Sequence, residues 1–191
     1  MAMIAIRHER PADSDAREAL LDASFGENRY LKSSERLREG RLPADGLSFA
    51  AIGNGRLIGT ARLWHISAGP DRPALLLGPV AVDPGWRGRG IGSALVRRTL
   101  REARRLGHGV VLLVGDAPYY GRFGFSAEKT GALWLPGPFE QHRLLGRELT
   151  PGALDGARGP ISATGPIGSK PQLHPPTAAP KRAPRPVPRA A

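Results

Sequence analysis

Between residues 87 and 92 arginine and glycine alternate, as Arg87-Gly88-Arg89-Gly90, and Ile91-Gly92 completes the segment. Glycine lets a backbone come close to a ligand. A helix that begins here presents unpaired N–H groups and the positive end of its dipole. Two guanidinium groups add charge. The chemistry that suits this set is the holding of a pyrophosphate by backbone N–H groups. A plain strand-to-helix turn would also use glycine; the arginines and the placement favour the cradle. The segment is no P-loop, because no Gly-Lys-Ser/Thr follows it. Nor is it the dinucleotide fingerprint, whose third glycine would fall at Ser93.

Other chemistries are excluded by what the chain lacks. It has no cysteine, so disulfides, thiolate zinc sites and a cysteine nucleophile are ruled out. Its histidines, His8, His65, His108, His142 and His174, are scattered, without the paired spacing of a metal site. No metal is expected.

The elements that must position the cradle can be read on either side of it. The apolar run Leu75 to Val82 predicts a buried strand, interrupted by Gly78-Pro79. Proline has no N–H for a ladder, so the strand is expected to bend or splay near Pro79 and open a notch in the sheet. Ile91 to Leu106 predicts an amphipathic helix, with Ile91, Leu95, Leu100 and Ala103 on one face and Arg97, Arg101 and Arg104 largely on the other. Gly107 suits its stop. Val110 to Val114 is a buried strand by composition, so a β–α–β crossover joins two parallel neighbours.

Upstream, Met3 to Ile6 reads as a strand, and Asp13 or Ser14 can cap a helix through Leu20 and Phe25. A second helix is expected from Tyr30 to Glu39. Gly53-Asn54-Gly55-Arg56 between two β-rich runs is a hairpin signal. Downstream, Pro118 to Phe123 reads as a short helix and Gln141 to Leu149 as a last strand.

The chain has 191 residues, enough for one domain with a real core and an appendage. No apolar run is long enough to span a bilayer, and the N-terminal apolar stretch is too short for a signal peptide. A soluble cytoplasmic protein is expected, with no membrane partner. The net charge is +11, and five Lys/Arg with no acid lie from Lys170 to Ala191, which leaves +6 on residues 1–169. That final segment also holds seven prolines in 22 residues. Such a composition cannot bury enough apolar area to offset its ordering entropy. The expected organisation is a domain over 1–155 and a disordered Pro/Ala/basic tail over 156–191, with weak non-specific nucleic-acid contact open to the tail.

The segment 87–92 resembles the Arg/Gln-x-x-Gly-x-Gly/Ala signature of the GNAT superfamily of acyl-CoA-dependent N-acetyltransferases. It follows Pro79-Val80-Ala81-Val82-Asp83-Pro84, as that family's fourth strand and turn would, and Tyr119-Tyr120-Gly121-Arg122-Phe123-Gly124-Phe125 is similar to the family's Tyr-x-x-x-Gly-Phe segment. The likeness covers roughly residues 3–150. It implies an α/β fold: a mixed, mostly antiparallel sheet flanked by helices, with one parallel strand pair splayed at the cofactor. It implies acetyl-CoA as acyl donor, held by the backbone of Val80, Ala81 and Val82 along the pantetheine arm. Arg87, Gly88, Arg89, Gly90, Ile91, Gly92 and Ser93 would lie at the pyrophosphate. Transfer would go directly to a primary amine, on a small molecule or a protein. Tyr120 matches the tyrosine that protonates the departing thiolate, and Tyr119 reads as packing.

No base is assigned. Glu27, Glu35, His65 and Asp83 are candidates, with Asp83 better suited to capping the turn before Pro84 and His65 to a structural role. Glu27-Asn28-Arg29-Tyr30 either borders the acceptor site or forms a solvated turn. Trp134 to Phe139 either walls the acceptor or packs as a loop. Two other readings stand beside the enzyme: a non-catalytic acyl-CoA sensor, and a nucleic-acid-associated protein acting through its basic tail. The acceptor's identity, the acyl length and the oligomeric state stay open.

Overall fold

A computed structural model describes residues 3–168, apart from the Glu27 side chain; the basic part of the expected tail, from Lys170, and the side chain of the candidate base Glu27 therefore lie outside what is described. A sheet forms the centre. Strands β1 (Ile4–His8), β2 (Ser48–Gly53), β3 (Arg56–Ala68) and β4 (Pro73–Val82) run antiparallel in sequence order. β5 (Val110–Val114) then lies parallel to β4, and β7 (Leu144–Glu148) closes the row antiparallel to β5. β6 (Leu133–Trp134) stands off this row. The sheet is thus mixed and mostly antiparallel, as the motifs implied.

The β2–β3 connection turns through Asn54 and Gly55, both at positive φ (50° and 76°). That is the backbone a two-residue hairpin requires. Helix α1 (Ser14–Phe25) packs Leu20 and Leu21 with Ala81 of β4. Helix α2 (Ile91–Arg105) covers the opposite face, where Leu95, Val96 and Leu100 join Phe49, Leu63, Leu75 and Leu77. A short helix α3 (Ala117–Gly121) follows β5.

The β4 interruption occurs where Gly78-Pro79 stands. Leu63 pairs with Leu77 but Ala61 pairs with Val80, so one residue of β3 faces two of β4. This is a β-bulge. The Gly78–Pro79 peptide is cis. The bulge also resets the alternation of side chains: Leu75 and Leu77 face α2, and beyond the bulge Val80 and Val82 pack against that same cluster. Trp64 of β3 fastens the bulge, its buried indole Nε1 donating to the Gly78 carbonyl at 2.6 Å.

Three expectations are corrected. Residues 30–39 form no α-helix but 3-10 turns at Glu27–Leu31 and Glu35–Leu37. Serine at 33 and 34 competes for backbone hydrogen bonds, and the Ser33 hydroxyl instead donates to the Pro138 carbonyl. The last strand begins at Leu144, because 141–143 make a 3-10 turn. The ordered fold continues past residue 155. Gly159–Ala163 form β8, which takes the edge of β3 that β2 vacates: β2 pairs β3 as far as Arg62, and β8 pairs Ile66 to Ala68. No helix among the described residues is long and apolar enough to cross a membrane.

Candidate active site

β4 and β5 are registered only at Leu75 with Val111 and Leu76 with Leu112. Past that point the strands separate, and the β5-facing edge of β4 is open. Which backbone groups it exposes follows from the register. Asp83 donates to the Ile58 carbonyl at 2.9 Å, so this is a hydrogen-bonded pair. Antiparallel pairs alternate. Ala81, opposite Thr60, therefore turns its N–H and carbonyl to β3, while Val80 and Val82 turn theirs to the gap. Of the three residues expected along the pantetheine arm, two offer backbone groups there and Ala81 does not. The Arg87 Nε reaches the Val82 carbonyl at 3.3 Å, which agrees with that direction.

The glycine segment sits where the sequence places it. Asp83 caps the turn after β4, accepting from the Gly85 N–H at 2.8 Å. Gly88 and Gly90 hold φ of +75° and +76°, which disfavours residues with a Cβ, and a Cβ at either would meet open space. Gly90 is the N-cap of α2 and has no side chain to cap it. The N–H groups of Ile91, Gly92 and Ser93 consequently have no partner within the helix. Arg89 lies over the Trp86 ring at 4.9 Å, which ties the turn to the body of the protein. At Gly92 a Cβ would stand 3.1 Å from the Tyr119 hydroxyl and 3.6 Å from Val82 Cγ2. The first turn of α2 thus meets both the end of β4 and the tyrosine segment.

The two tyrosines divide. Asp116 caps α3 by accepting from the Tyr119 N–H at 3.2 Å. Tyr119 sits edge-on to Phe123, with Arg122 over its ring at 4.1 Å. Tyr120 lies behind it, edge-on to Phe125, and lines a cleft of about 650 Å³. Burial, and to a lesser extent Tyr119, pushes the Tyr120 phenol up to about 12.

That cleft joins Val80 and the Gly78-Pro79 bulge to Tyr120, but it does not include residues 87–93. It opens instead toward the 3-10 turns and the loop after β6. Arg29 and Glu35 line it, as do Leu135, Pro138 and Phe139, so the Trp134–Phe139 loop contributes an apolar wall. Arg36 donates to the Pro136 carbonyl at 3.0 Å and holds the loop against the turns. Among the candidate bases, Glu35 is at the cleft, where it accepts from Arg38 at 2.6 Å. His65 packs at a tilt against His108 with centroids 5.6 Å apart and does not line the cleft. Asp83 is engaged in its turn. Lys32, Arg38 and Arg143 also line the cleft, unheralded by the sequence. With 28 Lys/Arg in the chain, no single cation stands out by composition. Among the described residues, no group of three or more His, Asp or Glu is placed to hold a metal ion.

An open mixed sheet, a β4 bulged and splayed from its parallel neighbour, and a glycine turn at the start of α2 together define an acyltransferase of one architecture. Residues 14–125 match the model of the acetyltransferase (GNAT) family, and the chain belongs to that family. It is 31% identical over 155 residues to the uncharacterized N-acetyltransferase YhbS of Escherichia coli K12, spanning 81% of this chain and 92% of that protein. The crystal structure of Escherichia coli YhbS in complex with CoA superposes with a TM-score of 0.73 at 29% identity, over 86% of this chain and 91% of that one. A GNAT family acetyltransferase from Brucella melitensis, in complex with acetyl-CoA, gives 0.61 at 26% identity, over 85% and 96%.

Proposed function

We propose that this chain moves an acetyl group from acetyl-CoA to a primary amine by direct attack, with Tyr120 as the general acid. One observation carries the reading: an open edge runs from the α2 glycine turn, past the gap-facing backbone of Val82 and Val80, to Tyr120. The relatives crystallised with CoA and acetyl-CoA support the donor. So does the fit of the turn, since Gly88 and Gly90 leave open the space a Cβ would take.

Acetyl-CoA, when bound, supplies the thioester: the amine forms the C–N bond and gives its surplus proton to solvent, the C–S bond breaks, sulfur leaves with the electron pair, and solvent later returns a proton to Tyr120. The chain's residues do the rest. Ile91, Gly92 and Ser93 offer N–H donors to the pyrophosphate at a helix N-terminus, with Arg87 and Arg89 adding charge. A gap-facing N–H of Val80 or Val82 offers a donor to the carbonyl oxygen as it gains charge. Tyr120 holds a proton at Oη for the departing sulfur. Its phenol, pushed up to about 12, keeps that proton throughout the neutral range. Exclusion of water penalises a bare thiolate as it does a phenolate, so donor and departing sulfur both become weaker acids and stay matched.

Release of free CoA in the presence of an amine panel tests the reading. Amine-dependent release is expected. CoA binding without amine-dependent release from any member of the panel would reduce the chain to a binding module.

A further inference from the structure

The acceptor side of the cleft carries a buried cation with an unmet hydrogen bond. Arg38 is only 9% exposed and lines the cleft. One of its amino groups donates to Glu35 at 2.6 Å, and its Nη1 stands 3.3 Å from where a Cβ of Gly78 would lie. Its Nε–H is buried and has no partner among the described residues. A buried guanidinium N–H without an acceptor is costly, and so calls for an acceptor atom brought by something else.

Two further cations converge on the same space. Lys32 lies over the Phe25 ring at 4.9 Å and has no carboxylate within 4.0 Å among the described residues. Its ammonium is held below its ordinary value, first by partial burial and then by the charges of Arg143 and Arg38, which line the same cleft. Three acids line the cleft as well, and each is already engaged, two of them with these cations. Glu35 is bound to Arg38, and Asp116 caps α3. Glu140, largely exposed, lies 3.8 Å from Arg143 and 3.6 Å from His142.

We propose that the acceptor amine carries an anionic group, a carboxylate or a phosphate, which the Arg38 guanidinium binds, with Lys32 and Arg143 beside it. The proposal rests on the acetyl-transfer reading for the word acceptor, but not for the anion site itself. A guanidinium presents parallel donors that match either oxyanion, and the apolar wall of Leu135 and Phe139 gives the rest of the molecule a surface. Polycationic amines are disfavoured by the same three charges.

The test pairs each anionic amine with a counterpart lacking the anion: O-phosphoethanolamine with ethanolamine, and glycylglycine with its amide. Spermidine stands as the polycation. Calorimetric binding is measured on the full chain with and without CoA, and turnover is followed by CoA release. The anionic member is expected to bind about 10- to 100-fold more tightly than its counterpart, the worth of one charge-assisted hydrogen bond. Which pair shows the larger ratio tells carboxylate from phosphate. Arg38→Gln should reduce that ratio; because Arg38 is buried and can fail to fold when replaced, the surface pair Lys32→Gln with Arg143→Gln is measured too, and should reduce it about tenfold. Equal binding of both members, or preference for spermidine, overturns the proposal and leaves the Arg38 Nε–H to water. Failure of CoA itself to bind would overturn the acetyl-transfer reading, while the CoA-free arm still reads the anion preference.

Discussion

The ring of Tyr120 rests directly on the backbone of Gly115: a Cβ at Gly115 would lie 2.7 Å from Tyr120 Cδ2. No residue larger than glycine fits there without moving the ring. Gly115 follows the last residue of β5, beyond the point where that strand has parted from β4, so the ring sits at the open end of the splay. Gly115→Ala is expected to keep CoA affinity and to lower turnover about 10²-fold, the usual cost of a displacement near 1 Å at a reacting group. Calorimetry with CoA beside a turnover assay checks this; full activity would show that the ring position is immaterial.

Tyr120→Phe keeps the ring and removes the hydroxyl. A general acid contributes about 10²–10⁴-fold, so turnover should fall within that range without vanishing. Tyr119→Phe serves as the control and should keep most activity. The pH dependence of stability carries a second signature. Burial raises the phenol from 10.0 to about 12, so the native state binds the proton more tightly than the unfolded chain does. The contribution is fully present below pH 10 and is lost as pH rises toward about 12. Denaturant melts across that window should show a decline in the parent that is smaller in Tyr120→Phe.

At the glycine turn the two substitutions differ in kind. At Gly90→Val the new Cβ meets no atom within 4 Å, yet the change forces a β-branched residue to φ +76° and puts its side chain into the open space before α2. It should weaken CoA binding at least about tenfold, with a stability loss of about 1–2 kcal/mol. Gly92→Ala has no such backbone strain, but its methyl would press on the Tyr119 hydroxyl at 3.1 Å. It should disturb the tyrosine segment more than the fold. Unchanged CoA affinity in a folded Gly90→Val protein would sink the cradle.

The bulge makes its own prediction. Trp64→Phe removes the donor to the Gly78 carbonyl and leaves that buried group unpaired. The expected loss is about 1–3 kcal/mol, read as a lower melting midpoint. Because Arg38 abuts Gly78, acceptor KM should rise as well. A change in stability with an unaltered acceptor KM would separate the bulge from the acceptor side.

What could be read in advance is what is encoded locally. Gly-Pro inside an apolar run can only interrupt a strand, and glycines between a strand and an amphipathic helix can only form a permissive turn, so β4, α2 and the segment 87–92 were legible. Which edge groups of β4 face the gap was not, because that depends on register against β3, and Ala81 was grouped with its neighbours. The cations of the acceptor cleft were invisible for a different reason. Arg38 and Arg143 are far apart in sequence and ordinary in a basic chain; only the packing of the 3-10 turns against the loop after β6 brings them together. β8 escaped because it carries one buried apolar residue, Ile161, in a Gly-Pro-rich context, and its place is created by the extra length of β3.

The end of the domain can be set by two truncations. A chain ending at residue 155 loses β8, and with it the pairing of Ile161, Ser162 and Ala163 to the last residues of β3. It also loses the Arg41–Ile167 bridge and the Gly165 carbonyl that accepts from Arg41 at 2.5 Å, contacts that hold the segment before β2. Ile161 leaves a cluster that includes Trp64, Leu133 and Leu154, and loss of one such buried side chain alone costs about 2–5 kcal/mol. A chain ending at Gly168 keeps all of these. It should melt cooperatively at the midpoint of the full chain and bind CoA as well, whereas the shorter one should melt lower or not fold. Any nucleic-acid binding of the full chain should be absent from the Gly168 form and should fall steeply with salt, since it would depend on the cations beyond that point. If instead the Gly168 form loses its cooperative transition, the proline-rich segment is part of the fold; if the 155 form melts like the full chain, β8 adds nothing to it.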